Sequence, residues 1–158
     1  MKRGTMNILI VAFAQNFRAD SKNTEIENKV VDFIKKKMGD SYCALLTETR
    51  YIDEPLEGSY AWQPWNQFAP IIQNFKIWRT AGIEWDVLYY LIDDCLAAHD
   101  KNEEIEEIVI TGHLTPIEYI RLSVLLQSFL PAVRIKFTNF YGVAPVEILK
   151  QMNIEIEK

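Results

Sequence analysis

Ile108-Val109-Ile110-Thr111-Gly112-His113-Leu114-Thr115-Pro116-Ile117-Glu118 reads as a buried strand delivered into a helix. Residues 107–111 are dominated by β-branched side chains and form a short apolar run, the pattern of a fully buried strand. Gly112 permits a backbone path closed to other residues. Thr115 has the chemistry of an N-cap, Pro116 suits the first helical position, and Glu118 stands three residues after the cap, completing a capping-box pattern. The helix predicted over Thr115–Leu130 is stopped by Pro131.

Working outward, the same alternation recurs. Asn7–Phe13 is a predicted buried strand, followed by a polar loop over Gln15–Lys22. A helix starts at Thr24 with Glu27 placed for a second capping box. Its Ile26, Val30, Phe33, Ile34 and Met38 share one face, and Gly39 suits a left-handed C-cap. Tyr42–Thr47 is a second strand. Asp53–Pro70 carries Pro55, Gly58, Pro64 and Pro70 with Tyr60, Trp62 and Trp65 between them, and reads as a long aromatic loop. Ile71–Ile77 is expected as a third strand. Trp85–His99 has helical spacing through Trp85, Leu88, Tyr89, Ile92, Leu96 and Ala97. Val133–Thr138 is a fifth strand, Pro145–Met152 a helix, and Ile154–Ile156 a short edge strand. Strands alternating with helices predict right-handed βαβ units. The expected fold is α/β: a three-layer α/β/α sandwich with a mostly parallel central sheet, spanning 1–158 as a single domain.

Composition narrows the function classes. The chain has 158 residues, 49% of them hydrophobic, and a net charge of −5. No stretch reaches the roughly 18 apolar residues of a membrane span. The basic Met1–Thr5 start and the apolar run after it are read as the lead into the first strand rather than as a signal peptide. Lys35-Lys36-Lys37 closes a helix, where cations complement the dipole. No basic face with interleaved aromatics is present, so neither nucleic acid nor membrane is an expected partner. The two cysteines, Cys43 and Cys95, lie in no CxxC or Cys/His cluster. That pattern indicates a reduced, cytoplasmic setting, with no metal site and no cofactor expected.

In an open parallel sheet, ligands sit beyond the carboxyl ends of the strands. The segments expected there are Phe13–Phe17, Thr49–Glu54 and Thr111–Glu118, with Lys76 at the end of the third strand. A helix N-terminus normally favours an anion. Here Glu118 supplies its own negative charge, so it is either a capping residue or an acid–base group paired with Lys76. His113 is a candidate for acid–base chemistry near neutral pH. His99 reads as a dipole-favoured residue near a helix end, Phe13 as core, and Asp93-Asp94 as a solvated edge. Tyr60, Trp62 and Trp65 suit a lid, a subunit contact or plain packing of the loop.

Taken together, these segments resemble the isochorismatase-like cysteine hydrolase family, which includes nicotinamidases. Ile8-Leu9-Ile10-Val11-Ala12-Phe13-Ala14-Gln15-Asn16-Phe17 resembles the family's first strand, which runs into an Asp-x-Gln motif. Ala44-Leu45-Leu46-Thr47-Glu48-Thr49-Arg50 resembles its second strand and following turn. Ile71-Ile72-Gln73-Asn74-Phe75-Lys76 resembles the strand ending in its catalytic lysine. The opening 108–118 stretch resembles the strand and helix start that carry its nucleophilic cysteine. The resemblance implies a base, a charge-stabilising lysine and a thiolate activated at a helix N-terminus, with backbone N–H groups holding the oxyanion.

Two of those three positions are changed. Phe13 falls where the aspartate belongs and Glu118 where the cysteine belongs, while Lys76 matches. Tyr51 and Asp53 stand where metal-binding members place Asp and His. The resemblance therefore implies a divergent member without the usual hydrolase activity, acting as a small-molecule-binding or oligomeric interaction protein. A homo-oligomer is implied by the resemblance alone. The alternative is a hydrolase of C–N or ester bonds using Lys76, Glu118 and His113, with water as nucleophile. A third reading, an unrelated flavodoxin-like or nucleotide-binding domain, is disfavoured, since the chain has only six glycines and lacks both GxGxxG and GxxxxGK[ST].

Overall fold

The computed structural model describes residues 5–16, 24–39, 41–49, 57–97 and 104–157. The readings made on Met1–Gly4, Phe17–Lys22, Arg50–Glu54 and His99, and residues 101–103 of the acidic loop expected over Lys101–Glu104 before the fourth strand, lie outside these residues.

Among the described residues, six strands form one parallel sheet in the order β3-β2-β1-β4-β5-β6. They are β1 (Thr5–Ala12), β2 (Tyr42–Glu48), β3 (Lys76–Thr80), β4 (Glu104–Gly112), β5 (Arg134–Phe137) and β6 (Glu155–Ile156). Four helices accompany them: α1 (Thr24–Lys37), α2 (Trp85–Ala97), α3 (Pro116–Phe129) and α4 (Val146–Gln151). The chain builds outward from β1 to β3, then crosses back to β4 and builds outward on the other side. Right-handed crossovers must then put the helices of the two halves on opposite faces.

The core shows that division. Leu9, Val11, Leu45 and Val109 point to one face and pack with Val30, Val31 and Ile34 of α1. Ile8, Ile10, Ala44, Leu46, Ile108 and Ile110 point to the other and pack with side chains of α2, α3 and α4. Covering on both faces explains why the central strands read as unbroken apolar runs rather than alternating ones. Three layers result, as the alternation of elements predicts.

Two elements differ from the sequence reading. The third strand is not Ile71–Ile77. Residues Ile72–Asn74 form a 3₁₀ turn, and β3 begins only at Lys76. The reason is visible in burial: Ile71 and Phe75, four apart, both enter the α1-side core. A strand would bury Gln73 on that same face, whereas Gln73 is exposed; the turn carries it into solvent while residues 71 and 75 both face the core. β4 also starts earlier than expected, at Glu104. Its Glu104 and Glu106 face out while Ile105 is buried, so a stretch that looks like an acidic loop is an alternating strand start.

The far edge of the sheet is held by charge. Glu107 on β4 pairs with Arg134 on β5 at 2.7 Å. Lys136 on β5 reaches Glu107, Glu155 and Glu157 at 3.9, 3.6 and 3.3 Å. Burial works against the Lys136 ammonium, but these three carboxylates outweigh it and raise its pKa above the usual lysine value. The two-residue β6 thus has an ionic anchor that its length alone would not supply.

At the centre, β1 and β4 approach closely at Gly112, whose φ is +123°. An added Cβ there would lie 2.8 Å from the Ala12 nitrogen and closer still to its carbonyl oxygen. Gly112→Ala is expected to cost about 3 kcal/mol or more, because neither backbone can retreat without breaking the ladder. Urea unfolding followed by circular dichroism measures it; a loss below 1 kcal/mol would refute the tight contact.

Candidate functional site

The strand order reverses between β1 and β4, and a crevice opens beyond the carboxyl ends at such a point. The structure brings Phe13 and the 112–118 turn to this place. The Phe13 N–H donates to the Leu46 carbonyl at 2.8 Å, and the His113 N–H donates to the Ala12 carbonyl at 3.0 Å. The Phe13 ring is fully buried in the core that packs against α2 and α3. Its backbone is left-handed, with φ of +56°. That conformation is uncommon for a bulky residue and is better tolerated by Asp or Asn.

Glu118 sits one turn into α3 and is buried. One of its carboxylate oxygens accepts the Thr115 N–H at 2.9 Å and the Thr115 hydroxyl at 3.0 Å. This is the capping box that the Thr-x-x-Glu spacing predicts. The carboxylate is thereby held against the first turn of its own helix. His113 stacks on Tyr141 with ring centroids 4.1 Å apart, and Tyr141 in turn lies 6.5 Å from Trp65. The mouth at β4–α3 is therefore walled by rings from three separate segments.

Lys76 is not part of this mouth. β3 runs parallel to β2 and starts at Lys76, which is level with Ala44, so the lysine occupies the amino end of its strand. This corrects its expected position at the carboxyl end of a 71–77 strand; the 3₁₀ turn at 72–74 shifts the strand forward. Lys76 instead binds Asp94 of α2 at 2.7 Å and lies 5.0 Å from the centre of the Trp78 ring. Asp94 also accepts a hydrogen bond from Tyr42. The hydrogen bonds from Lys76 and Tyr42 hold the Asp94 carboxyl below the usual aspartate value. Asp94 is thus an ion-pair partner rather than a solvated edge residue.

The cation at the carboxyl end of β3 is Arg79, which the sequence reading passed over. Arg79 pairs with Glu57 and lies 5.9 Å from the centre of the Trp62 ring. It lines a cleft of about 270 Å³ together with Thr49, Glu57, Thr80, Ala81 and Glu84. The buried Thr49 hydroxyl in this cleft has no hydrogen-bond partner among the described residues. Gly82, with φ of +137°, ends the strand region and was the available signal that β3 runs on past Ile77.

Gln15 ties the whole end of the sheet together. Its side-chain oxygen accepts the Glu48 N–H at 2.7 Å, and its amide donates to the carbonyls of Glu48 and Trp62 at 3.1 and 2.7 Å. Its own carbonyl accepts the Trp65 indole N–H at 3.1 Å. The aromatic loop is consequently docked, not free. Trp65 and Phe68 are core residues, and only Tyr60 of the three aromatics singled out earlier is strongly exposed. The two cysteines offer no replacement nucleophile. Both are buried, and burial pushes the Cys43 thiol pKa up, toward the unreactive form.

No protein-family profile matches the sequence. No curated protein matches it either. Solved structures do match over nearly the full chain. An isochorismatase-like hydrolase from Alkaliphilus metalliredigens superposes with a TM-score of 0.67 at 12% identity, covering 97% of this chain and 94% of that one. The nicotinamidase from Staphylococcus aureus gives a TM-score of 0.66 at 13% identity, covering 96% and 97%. The chain has the isochorismatase-like α/β fold. Among the described residues, no helix is long and apolar enough to cross a membrane.

Two measurements check the geometry. Gln15→Leu strips hydrogen-bond partners from two buried backbone groups of Glu48 and one of Trp62, and is expected to cost about 2–4 kcal/mol. It should also speed proteolysis within 57–65; unchanged stability and cleavage would refute the anchoring role. Asp94, with its lowered pKa, stabilises the fold above the ordinary aspartate value and stops doing so as pH falls through its folded value. Asp94→Asn should therefore lower Tm at neutral pH and match the wild type in acid; a pH-independent difference would refute the linkage.

Proposed function

We propose that this chain is a divergent isochorismatase-like protein that lacks thiol-dependent hydrolysis and binds a small molecule, acting in the cytoplasm. Glu118 carries the reading. At the helix position where the family resemblance puts a nucleophilic thiol, the chain has a carboxylate engaged in capping its own helix. The buried ring of Phe13, where the resemblance puts the catalytic base, supports the same conclusion. So does the placement of Lys76 at the opposite end of β3. Two buried cysteines outside any CxxC or Cys/His cluster fit a reducing compartment.

The ligand site that best fits this reading is the Arg79 cleft. A guanidinium beside an indole face suits a planar carboxylate, which would exchange with Glu57 on Arg79 and lie against Trp62. Benzoate titrated into the protein should change tryptophan fluorescence. Arg79→Met should weaken that binding by about tenfold or more, the equivalent of one charge-assisted hydrogen bond. The alternative, a hydrolase working through Lys76, Glu118 and His113, requires Glu118 to leave its cap and a cation other than Lys76 to reach the mouth. Oligomeric interaction is the other function compatible with a site without its chemistry.

The activity side is tested with the purified chain on nicotinamide and simple amide and ester substrates. No turnover above the blank is expected. Turnover that disappears in Glu118→Ala would sink the proposal. In the variant Phe13→Asp with Glu118→Cys, iodoacetamide should alkylate position 118 well ahead of the buried Cys43 and Cys95. Equal or slower labelling there would show that this helix start is not a thiol-activating position.

A further inference from the structure

The face of α2 and α3 turned away from the sheet carries a large exposed apolar patch. α2 carries apolar side chains on more than its core face, with Asp86 and Asp93 exposed among them. Val87, Leu88, Leu91, Ile92 and Cys95 fill the core, yet Trp85, Tyr89, Tyr90 and Leu96 remain exposed. Trp85, Tyr89 and Leu96 recur at i, i+4 and i+11, which is a second stripe along the helix. On α3, Ile117 and Val124 are seven apart and also exposed. Trp85 and Tyr90 are 51% and 60% exposed, and Ile117 is 61% exposed.

The rings on this face are organised. Trp85 stacks on Tyr89 with centroids 5.1 Å apart and planes 12° from parallel, and both rings lean on Phe129 at 5.2 and 6.1 Å. Tyr90 meets Tyr89 edge-on at 5.5 Å. This aromatic ridge has a hollow on either side. One, of about 520 Å³, is lined by Ile83, Trp85, Ile120, Arg121 and Val124 among others. The other, of about 250 Å³, is lined by Tyr89, Ile92, Leu96, Phe129 and Leu130 with Asp93.

We propose that this face pairs with the same face of a second copy of the chain, forming a two-fold dimer. Three arguments single out a second copy as the occupant. The first is area. A buried aromatic side chain covers about 150–250 Å², so the half-exposed rings with Leu96, Ile117 and Val124 leave on the order of 600 Å² of apolar surface. That lies at the top of the range for the largest patch on a monomer, and matches the apolar share of roughly 800 Å² per partner in a stable dimer. The second is shape: a ridge flanked by hollows is complementary to itself, as an isologous interface requires. The third is charge. The larger hollow holds Arg121 together with Glu84 and Asp86. A two-fold axis passing beside this hollow would set the arginine of each copy against the carboxylates of the other.

This surface deepens the oligomeric reading above, and the two fail separately. Sedimentation velocity and light scattering on the full chain should give a mass near twice the 18.4 kDa of one copy, with dissociation on dilution. Tyr90→Glu and Val124→Glu, both at exposed positions, should keep the circular dichroism spectrum and weaken dimerisation at least tenfold. Arg121→Glu and Asp86→Arg should each weaken it, and the double variant should restore it. A wild type that stays monomeric at several hundred micromolar overturns both self-association and this surface. An oligomer unaffected by all four substitutions overturns this surface and leaves self-association standing. A monomer that instead binds vesicles or an unrelated protein through this face overturns the choice of a second copy.

Discussion

The contact of Gly112 with the Ala12 backbone is the constraint around which the carboxyl end of the sheet is arranged. Two neighbouring strands meet with no side chain between them, so both main chains must turn at the same level. β4 turns through a glycine at φ +123°, and β1 turns through Phe13 at φ +56°. The His113 N–H closes on Ala12 from one side and the Phe13 N–H on Leu46 from the other. With those atoms fixed, α3 can start only where it does, and Thr115 and Glu118 fall into capping position. Gln15 repeats the same logic one step further along β1. It satisfies backbone groups of β2 and of the aromatic loop at once, and so makes the rim of the site continuous with the core.

The central fold was legible because its strands are buried on both faces and flanked by strong punctuation. Residues 8–12, 43–47 and 108–111 contain hardly a polar side chain, and Pro116, Gly39 and Pro131 mark helix ends. Thr115 and Glu118 announced their cap by spacing alone. The third strand was misread for a physical reason. Ile71 and Phe75 look like strand residues, but they enter the core from a 3₁₀ turn, and periodicity over five residues does not separate the two. That one shift moved Lys76 from the carboxyl end to the amino end and hid Arg79. The early start of β4 was hidden by Glu104 and Glu106, which face out on either side of the buried Ile105, so an alternating strand start carries the composition of a loop. The docking of Trp65 depends on Gln15, fifty residues away, and no local pattern carries such a contact.

Among the described residues, the ion pairs of the sheet gather toward its two sides. Lys136 gathers three carboxylates where β5 meets β6, and Lys76 and Arg79 each take one along the outermost strand β3. Charged side chains on an edge strand discourage pairing with other chains. Between these edges, at the level where β1 and β4 end, the side chains are a phenyl ring, an imidazole stacked on a phenol and a carboxylate tied to a helix start. An aromatic and locally neutralised mouth suits packing better than it suits nucleophilic chemistry, which needs a base free to take a proton and a nucleophile free to attack.

The left-handed backbone at residue 13 is the most informative survivor in this arrangement. A phenylalanine gains nothing from φ +56°, and an extended strand end would hold its ring as well. The conformation is imposed by β4 through the Gly112 contact, whichever side chain is present. In the proposed reading, substitution at 13 could therefore change chemistry without changing the path of the chain. The αL geometry at this position is one that a short polar residue accepts more readily than a phenylalanine does. The exchange at 118 works in the same direction. A thiol held at a helix N-terminus is reactive and caps poorly, whereas a glutamate three residues after Thr115 adds to helix stability, with caps of this kind worth about 1 kcal/mol. In the proposed reading, Phe13 and Glu118 stand where reactive groups are expected and supply packing and capping instead, at a site whose main-chain geometry β1 and β4 hold in common.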